Sequence, residues 1–221
     1  MKNQVGKFVV LILFTFFSIS ATNALELKVP KNLKIPKTGG TSSAGAGNLK
    51  DTKLKFTKIF FESALDYMEA QFHLFNALEM NDEAGKTRKS IDFVKNKKNK
   101  EGKRLTNAFS AVTENSSAIE GALTKEAAIS TVAKVHYAKA LPYAVKGLLG
   151  TIQLPPEANK LLNTIKADKM AMLKMGSFIK VLPKIPEYVK NATTVGKLIV
   201  SGAKSRDVKG AKDATAKLGD L

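Results

Sequence analysis

The chain has 221 residues and no cysteine, and its 36 lysines and arginines outnumber 19 aspartates and glutamates, giving a formal net charge of +17. The missing thiol excludes disulfides, thiolate metal centres, cysteine nucleophiles, covalently attached c-type haem and a lipidated N-terminal cysteine. Only Arg88, Arg104 and Arg206 are arginine; lysine is a hydrated point charge without the planar fork that reads a base or phosphate bidentately, so the basic surface argues against sequence-specific nucleic-acid recognition.

Residues 1–24 carry an address. Lys2 and Lys7 form a basic start, residues 8–19 (FVVLILFTFFSI) an apolar core, and Ser20 to Ala24 a small-residue exit. This order is that of a cleavable signal peptide, with cleavage expected after Ala24. The apolar run is shorter than the roughly 20 residues a membrane-spanning helix needs. Export to a periplasm or beyond the cell is therefore expected, and the absence of cysteine in a secreted chain tilts the reading toward a bacterial envelope. Loss of Lys2 and Lys7 with the leader takes the formal charge from +17 to +15. The sequons at Asn115 and Asn191 matter only in a glycosylating pathway.

Residues 25–48 read as a flexible leader. Pro30 and Pro36 sit among lysines, and a Gly/Ser/Ala run follows at 39–47. Helical periodicity begins at Asn48, opening a bundle domain expected over 49–204. In the first helix Leu54, Phe61, Leu65, Met68, Phe72 and Phe75 recur at helical spacing, widened by Phe60, Ala64, Tyr67, Leu74 and Leu78. Asn81, Asp82 and Gly85 mark its end.

The second stripe is Leu105, Phe109, Val112, Ser116, Ile119 and Leu123, with Ile91 and Val94 fitting an earlier turn of the same element. Between them, residues 95–104 contain no apolar side chain, which predicts a solvated helix or a break near Gly102. A third helix is expected from an N-cap at Thr124, with Glu126 in its first turn and an apolar face of Ala128, Val132, Val135, Leu141, Val145, Leu148 and Ile152. Pro142 falls inside that helix and predicts a kink. Pro155 and Pro156 open a fourth helix, whose seam is Leu161, Ile165, Asp168, Met172, Met175, Ile179 and Leu182, closed by Pro183 and Pro186. Residues 195–200 predict a short fifth helix across one end of the bundle, and 205–221 a frayed polar tail. The expected fold is all-α: an antiparallel bundle of about four long helices, a short C-terminal helix and a flexible N-terminal leader.

Little of this points to catalysis. Glu62, Asp66, Glu69 and His73 share one helix face, yet a ferritin-like di-iron site needs Glu-x-x-His on two helices and further glutamates, and no such motif is present. The expected role of that line is a solvated face. Asp168 beside His136 or a lysine is the one place to look for acid–base chemistry. No nucleophile elbow, His-Glu-x-x-His or phosphate loop occurs, so no enzyme activity and no resident cofactor are expected.

The strongest remaining signal is basic. Lys86, Arg88, Lys89, Lys95, Lys97, Lys98, Lys100, Lys103 and Arg104 face only Asp92 and Glu101 in that stretch. The expected function is a non-enzymatic binding or structural role at anionic envelope material: phospholipid, lipopolysaccharide or cell-wall polymer. The alternative is a bundle-type cofactor protein holding non-covalent haem or copper through His136, Met172 and Met175.

Overall fold

The computed structural model describes residues 49–123 and 129–219. The expected signal peptide at 1–24, the expected leader at 25–48 and the expected cap at Thr124, with Glu126 and Ala128, lie outside them. The described residues form helices and connecting turns, with no strand among them. They comprise α1 (Leu49–Ala77), α2 (Asn81–Lys95), α3 (Glu101–Leu123), α4 (Thr131–Thr151), α5 (Leu154–Ala167), α6 (Lys169–Lys174), α7 (Gly176–Val181), α8 (Ile185–Ser205) and α9 (Ala211–Leu218); a 3₁₀ turn, Leu182–Lys184, links α7 to α8. Four of these (α1, α3, α4 and α8) are long. None of the described helices is long and apolar enough to cross a membrane.

The central element is α1, which packs on α2, α3, α4 and α5. Its fully enclosed residues, Phe56, Phe60, Ser63, Tyr67, Gln71 and Leu74, step by four and three along one face. That face is rotated from the one Leu54, Phe61 and Leu65 suggest: Leu54 is 64% exposed, and Phe61, Leu65 and Phe72 are half-buried at the margin. With so many phenylalanines around the helix, periodicity alone fits two adjacent faces. Aromatic contacts decide between them. Phe56 stacks on Phe60 at 5.8 Å, Phe60 meets Tyr188 at 5.9 Å, and Tyr188 stacks on Phe109 at 5.4 Å, joining α1, α3 and α8.

Successive passes alternate in direction. Arg88 of α2 meets Glu69, and α3 then runs with α1, from the Lys53–Glu101 ion pair to the Gln71–Ser116 hydrogen bond. Helix α4 runs against α1, with His136 near His73 at one end and Gly150 near Ser63 at the other. Its buried residues include Ala133, Ala140, Ala144, Gly147 and Thr151, small residues that let two helix backbones approach closely. A Cβ placed on Gly147 would lie 2.8 Å from the Tyr67 backbone nitrogen. Val132 and Val135, expected to face inward, are therefore turned out, Val132 being 68% exposed. Pro142 does not divide the helix; it sits on the exposed side. The cap of α4 is Ser130, whose side chain accepts from the Ala133 backbone N–H at 3.1 Å.

Five expectations need correcting. Ile91 and Val94 belong to α2, a separate helix, because of the two readings of residues 95–104 it is the break that occurs, at 96–100, just ahead of Gly102. The long fourth helix does not exist. Asp168 takes extended backbone angles and ends α5, then caps α6 through Oδ1, which accepts from Met170 N at 2.8 Å and Ala171 N at 3.2 Å. An Asp that can satisfy two free N–H groups restarts the helix in a new direction, so the regular seam across it is coincidental. Pro183 lies in the 3₁₀ turn that follows α7, whereas Pro186 stands in the first turn of α8 and opens that helix, since proline fits a first helical turn. Residues 195–200 are the middle of this 21-residue helix, which buries Tyr188, Ala192, Val195, Ile199 and Ala203. The polar tail likewise holds a helix: α9 buries Ala211, Ala214 and Leu218 against α8 and α4.

Two tyrosines tie α8 in place. Tyr67 donates to the Ala192 carbonyl at 2.7 Å and Tyr137 to the Ile199 carbonyl at 2.8 Å, and burial pushes both phenols well above their ordinary range. Gly85, by contrast, is an exposed glycine inside α2 with open space where its Cβ would stand. Gly85→Ala is expected to stabilise the protein by about 0.5–1 kcal/mol, through lower chain entropy in the unfolded state. Denaturant titration measures it, and a loss of stability would contradict the open environment.

Candidate functional site

The lysine-rich stretch folds as the hairpin between α2 and α3, and the structure divides its nine cations into two groups. Three hold the fold. Arg88 reaches Glu69 with two nitrogens at 3.2 and 3.1 Å while lying 4.0 Å over the Phe72 ring. Lys95 joins the same carboxylate at 2.8 Å. Arg104 donates from Nε to the Val94 carbonyl at 2.6 Å and covers the Phe61 ring at 4.5 Å. Burial alone would raise the Glu69 carboxyl, but the hydrogen bonds and charges of Lys95 and Arg88 outweigh it and hold the group below its usual range.

The other six, Lys86, Lys89, Lys97, Lys98, Lys100 and Lys103, are exposed and form no ion pair among the described residues. The turn beneath them is built from its own polar groups. Asn96 Oδ1 accepts from the Lys98 N–H at 3.0 Å, Asn99 N donates to the Asn96 carbonyl at 3.0 Å, and Asn99 Nδ2 donates to the Phe93 carbonyl at 2.9 Å. Because the asparagines and Arg104 satisfy the backbone, the lysine side chains are left to solvent. Four of them (Lys97, Lys98, Lys100 and Lys103) cluster around the turn.

The carboxylate line on α1 is neither a metal site nor wholly solvated. Glu69 is committed to Arg88 and Lys95, and Asp66 pairs with Lys146 of α4 at 2.9 Å. Glu62 is exposed. Among the described residues no group of three or more histidine or acidic side chains is placed to hold a metal ion.

His136, Met172 and Met175 are not brought together. His136 sits on α4 beside His73, ring centroids 6.3 Å apart, whereas Met172 and Met175 lie on and after α6, which packs on α5 and α7. Phe178 of α7 touches Phe56, and about 25 Å of α1 separates Phe56 from His73. The haem or copper set therefore has no common centre. Asp168, exposed and capping α6, is equally distant from any partnership with His136.

Sequence spacing gave no sign of the His73–His136 pair, which depends on how α1 and α4 cross. Tyr143 stacks on His73 at 5.9 Å, and Nδ1 of each histidine is buried without a hydrogen-bond partner. Burial lowers the His73 pKa; His136, Lys139 and Arg88 lower it further, and Glu69 opposes them. A histidine whose folded pKa is depressed is kept neutral in the native state, while the unfolded chain takes up its proton near the ordinary value of about 6.5. Stability from this site is thus complete above that pH and declines as pH falls through it toward the lower folded pKa. Thermal melting between pH 7.5 and 5 should show the decline, and His73→Gln should flatten it; an unchanged slope would assign it elsewhere. Gln71 is better satisfied, donating to the Val112 carbonyl at 3.0 Å and Ser116 Oγ at 3.1 Å and accepting from Asn115 at 3.1 Å. That explains the serine in the second apolar stripe.

An open, mainly apolar groove of about 530 Å³ runs between α4 and α9, along Leu141, Pro142, Leu149 and Ala214. Lys146, Asp213 and Lys217 also line it. No protein-family model, curated protein or solved structure matches this chain. Fold and site together define a lysine-rich, cysteine-free helical bundle that presents a cluster of exposed lysines on the α2–α3 turn.

Proposed function

We propose that this is an exported, non-enzymatic binding protein, and that the α2–α3 hairpin docks on the anionic surface of the cell envelope. The observation that carries the reading is the division of the basic stretch. Arg88, Lys95 and Arg104 are consumed by the fold, while Lys97, Lys98, Lys100 and Lys103 remain exposed on a turn whose backbone is already satisfied. Beside an anionic lipid surface each such cation contributes about 1 kcal/mol, within about a Debye length. Four to six together suffice for reversible docking. The export pattern of residues 1–24 supplies the compartment in which such surfaces occur.

Two measurements test this. Protein recovered from native envelope fractions should begin at Leu25, and a first residue within the 1–24 stretch would contradict cleavage after Ala24. The processed protein should sediment with vesicles containing phosphatidylglycerol and not with pure phosphatidylcholine, binding falling steeply as salt shortens the Debye length from about 10 Å at 0.1 M toward 3 Å at 1 M. Equal binding to both vesicles, or binding indifferent to salt, would remove the proposal.

A further inference from the structure

Helix α6 breaks the usual rule for a short surface helix. Its outward residues are Met170, Met172 and Leu173, exposed by 58%, 44% and 79%, while only Ala171 turns inward as its anchor. Lys166, Lys169 and Lys174 surround them, all exposed. At 100° per residue, Leu173 and Lys169 sit opposite Ala171, with the two methionines on either flank. Three adjacent apolar side chains held out in water inside a ring of lysines are costly unless something covers them.

Position adds a second argument. The start of α1, the start of α3 and α7 meet at one end of the bundle. Lys53 pairs with Glu101 and lies 5.4 Å over the Phe178 ring, and a Cβ on Gly102 would come within 2.7 Å of Ser177 Oγ. Helix α6 leads directly into α7, so its apolar tip and the lysine turn at 96–100 occupy the same end of the molecule. Leu54, the exposed leucine of α1, lies there too.

We infer that α6 is a shallow membrane foot: Leu173, Met170 and Met172 enter the headgroup–acyl boundary of an anionic phospholipid bilayer, while Lys166, Lys169 and Lys174 engage its phosphates. The inference rests on the docking reading above and narrows it, because a cell-wall polymer or polysaccharide offers phosphate or carboxylate but no hydrocarbon for three apolar side chains. An amphipathic segment of this kind lies in the interface and does not span it. Lysine stems extend along the boundary and keep their ammonium groups at headgroup level. Asp168, the one acid in the segment, is held back by its two hydrogen bonds to the α6 backbone.

The chain contains no tryptophan, so Leu173→Trp installs a single fluorescent reporter at the tip, and Val132→Trp, in a separate protein, a matched one on the first turn of α4 at the opposite end. With phosphatidylglycerol vesicles the emission of the tip reporter should shift to the blue and be quenched by lipids brominated on the acyl chains; that of the α4 reporter should do neither. Leu173→Asp should lower the vesicle partition coefficient about tenfold or more, as expected for withdrawing one leucine side chain from an apolar phase, and leave thermal melting unchanged. Sedimentation with anionic vesicles but no quenching of the tip reporter would overturn the foot and leave lysine docking standing. No sedimentation with either vesicle would overturn both. Tip emission already blue without vesicles would overturn the foot in favour of a different cover: a second copy if it reddens on dilution, a segment of the same chain if it does not.

Discussion

Gly147→Ala is expected to lower the melting temperature by about 4–8 °C. A methyl group at 147 would stand 2.8 Å from Tyr67 N, 3.0 Å from Tyr67 Cα and 3.1 Å from the Ser63 carbonyl oxygen. All three are backbone atoms of α1, so no side chain can rotate away and the helices must separate. Overpacking of this sort costs about 1–3 kcal/mol, occasionally more, and sits at the upper end when backbone must move. For a domain of this size each kcal/mol shifts melting by about 2–4 °C. The helix-propensity gain of alanine, about 1 kcal/mol, offsets only part of the cost. The α1–α4 crossing is the most extensive contact among the described helices, so the loss should propagate to the His73–His136 and Tyr137 contacts. Gly150→Ala makes an informative companion, because its methyl group meets the Ser63 side chain at 2.7 Å and Ser63→Gly in the same chain should relieve it. Calorimetry decides: a Gly147→Ala protein melting like the parent would mean that the two helices do not cross this closely.

Charge reversal at Lys97, Lys98 and Lys100 is expected to weaken binding to anionic vesicles by a hundredfold or more at about 0.1 M salt, with the melting temperature unchanged. Each reversal removes an attraction of about 1 kcal/mol and adds a comparable repulsion, and every 1.4 kcal/mol is tenfold in affinity. Stability should not follow, since the three side chains are exposed and substitutions at such positions stay within about 0.5 kcal/mol. Glu69→Ala should show the reverse signature. It strips Arg88 and Lys95 of their shared partner, lowering stability and freeing two more cations, so binding should hold or rise. Vesicle sedimentation and melting on the same samples separate the two. A triple variant that binds as before would mean that the hairpin is not the docking surface.

Much of the architecture was legible along the chain because helical burial writes itself at a spacing of three and four. The first and second stripes located α1 and α3 closely, and Pro155–Pro156 marked the start of α5. Errors arose where a single polar or proline residue carries two meanings. Asp168 fits a seam as well as a cap, and it caps; Pro186 fits a stop as well as a start, and it starts α8. On α4 the valines misled because valine looks like core, whereas the close crossing with α1 demands Ala140, Ala144 and Gly147 on the inner face.

The candidate site divides in the same way. Composition alone identified the basic stretch, since ten residues without an apolar side chain have no means of entering a core. Which cations remain for a partner was decided only when Glu69, Phe61 and Phe72 came within reach of Lys95, Arg104 and Arg88, because pairing depends on distances between helices far apart in sequence. The exposed tip of α6 was hidden for the same reason: Met172 continues a plausible stripe until the break at Asp168 rotates it outward. By itself the chain determined that it would be helical, basic and free of thiol chemistry, since these follow from residue type and local spacing. Tertiary structure alone decided which face of each helix is buried, which lysines are free and what stands beside His73, because those depend on the angle and closeness at which helices cross.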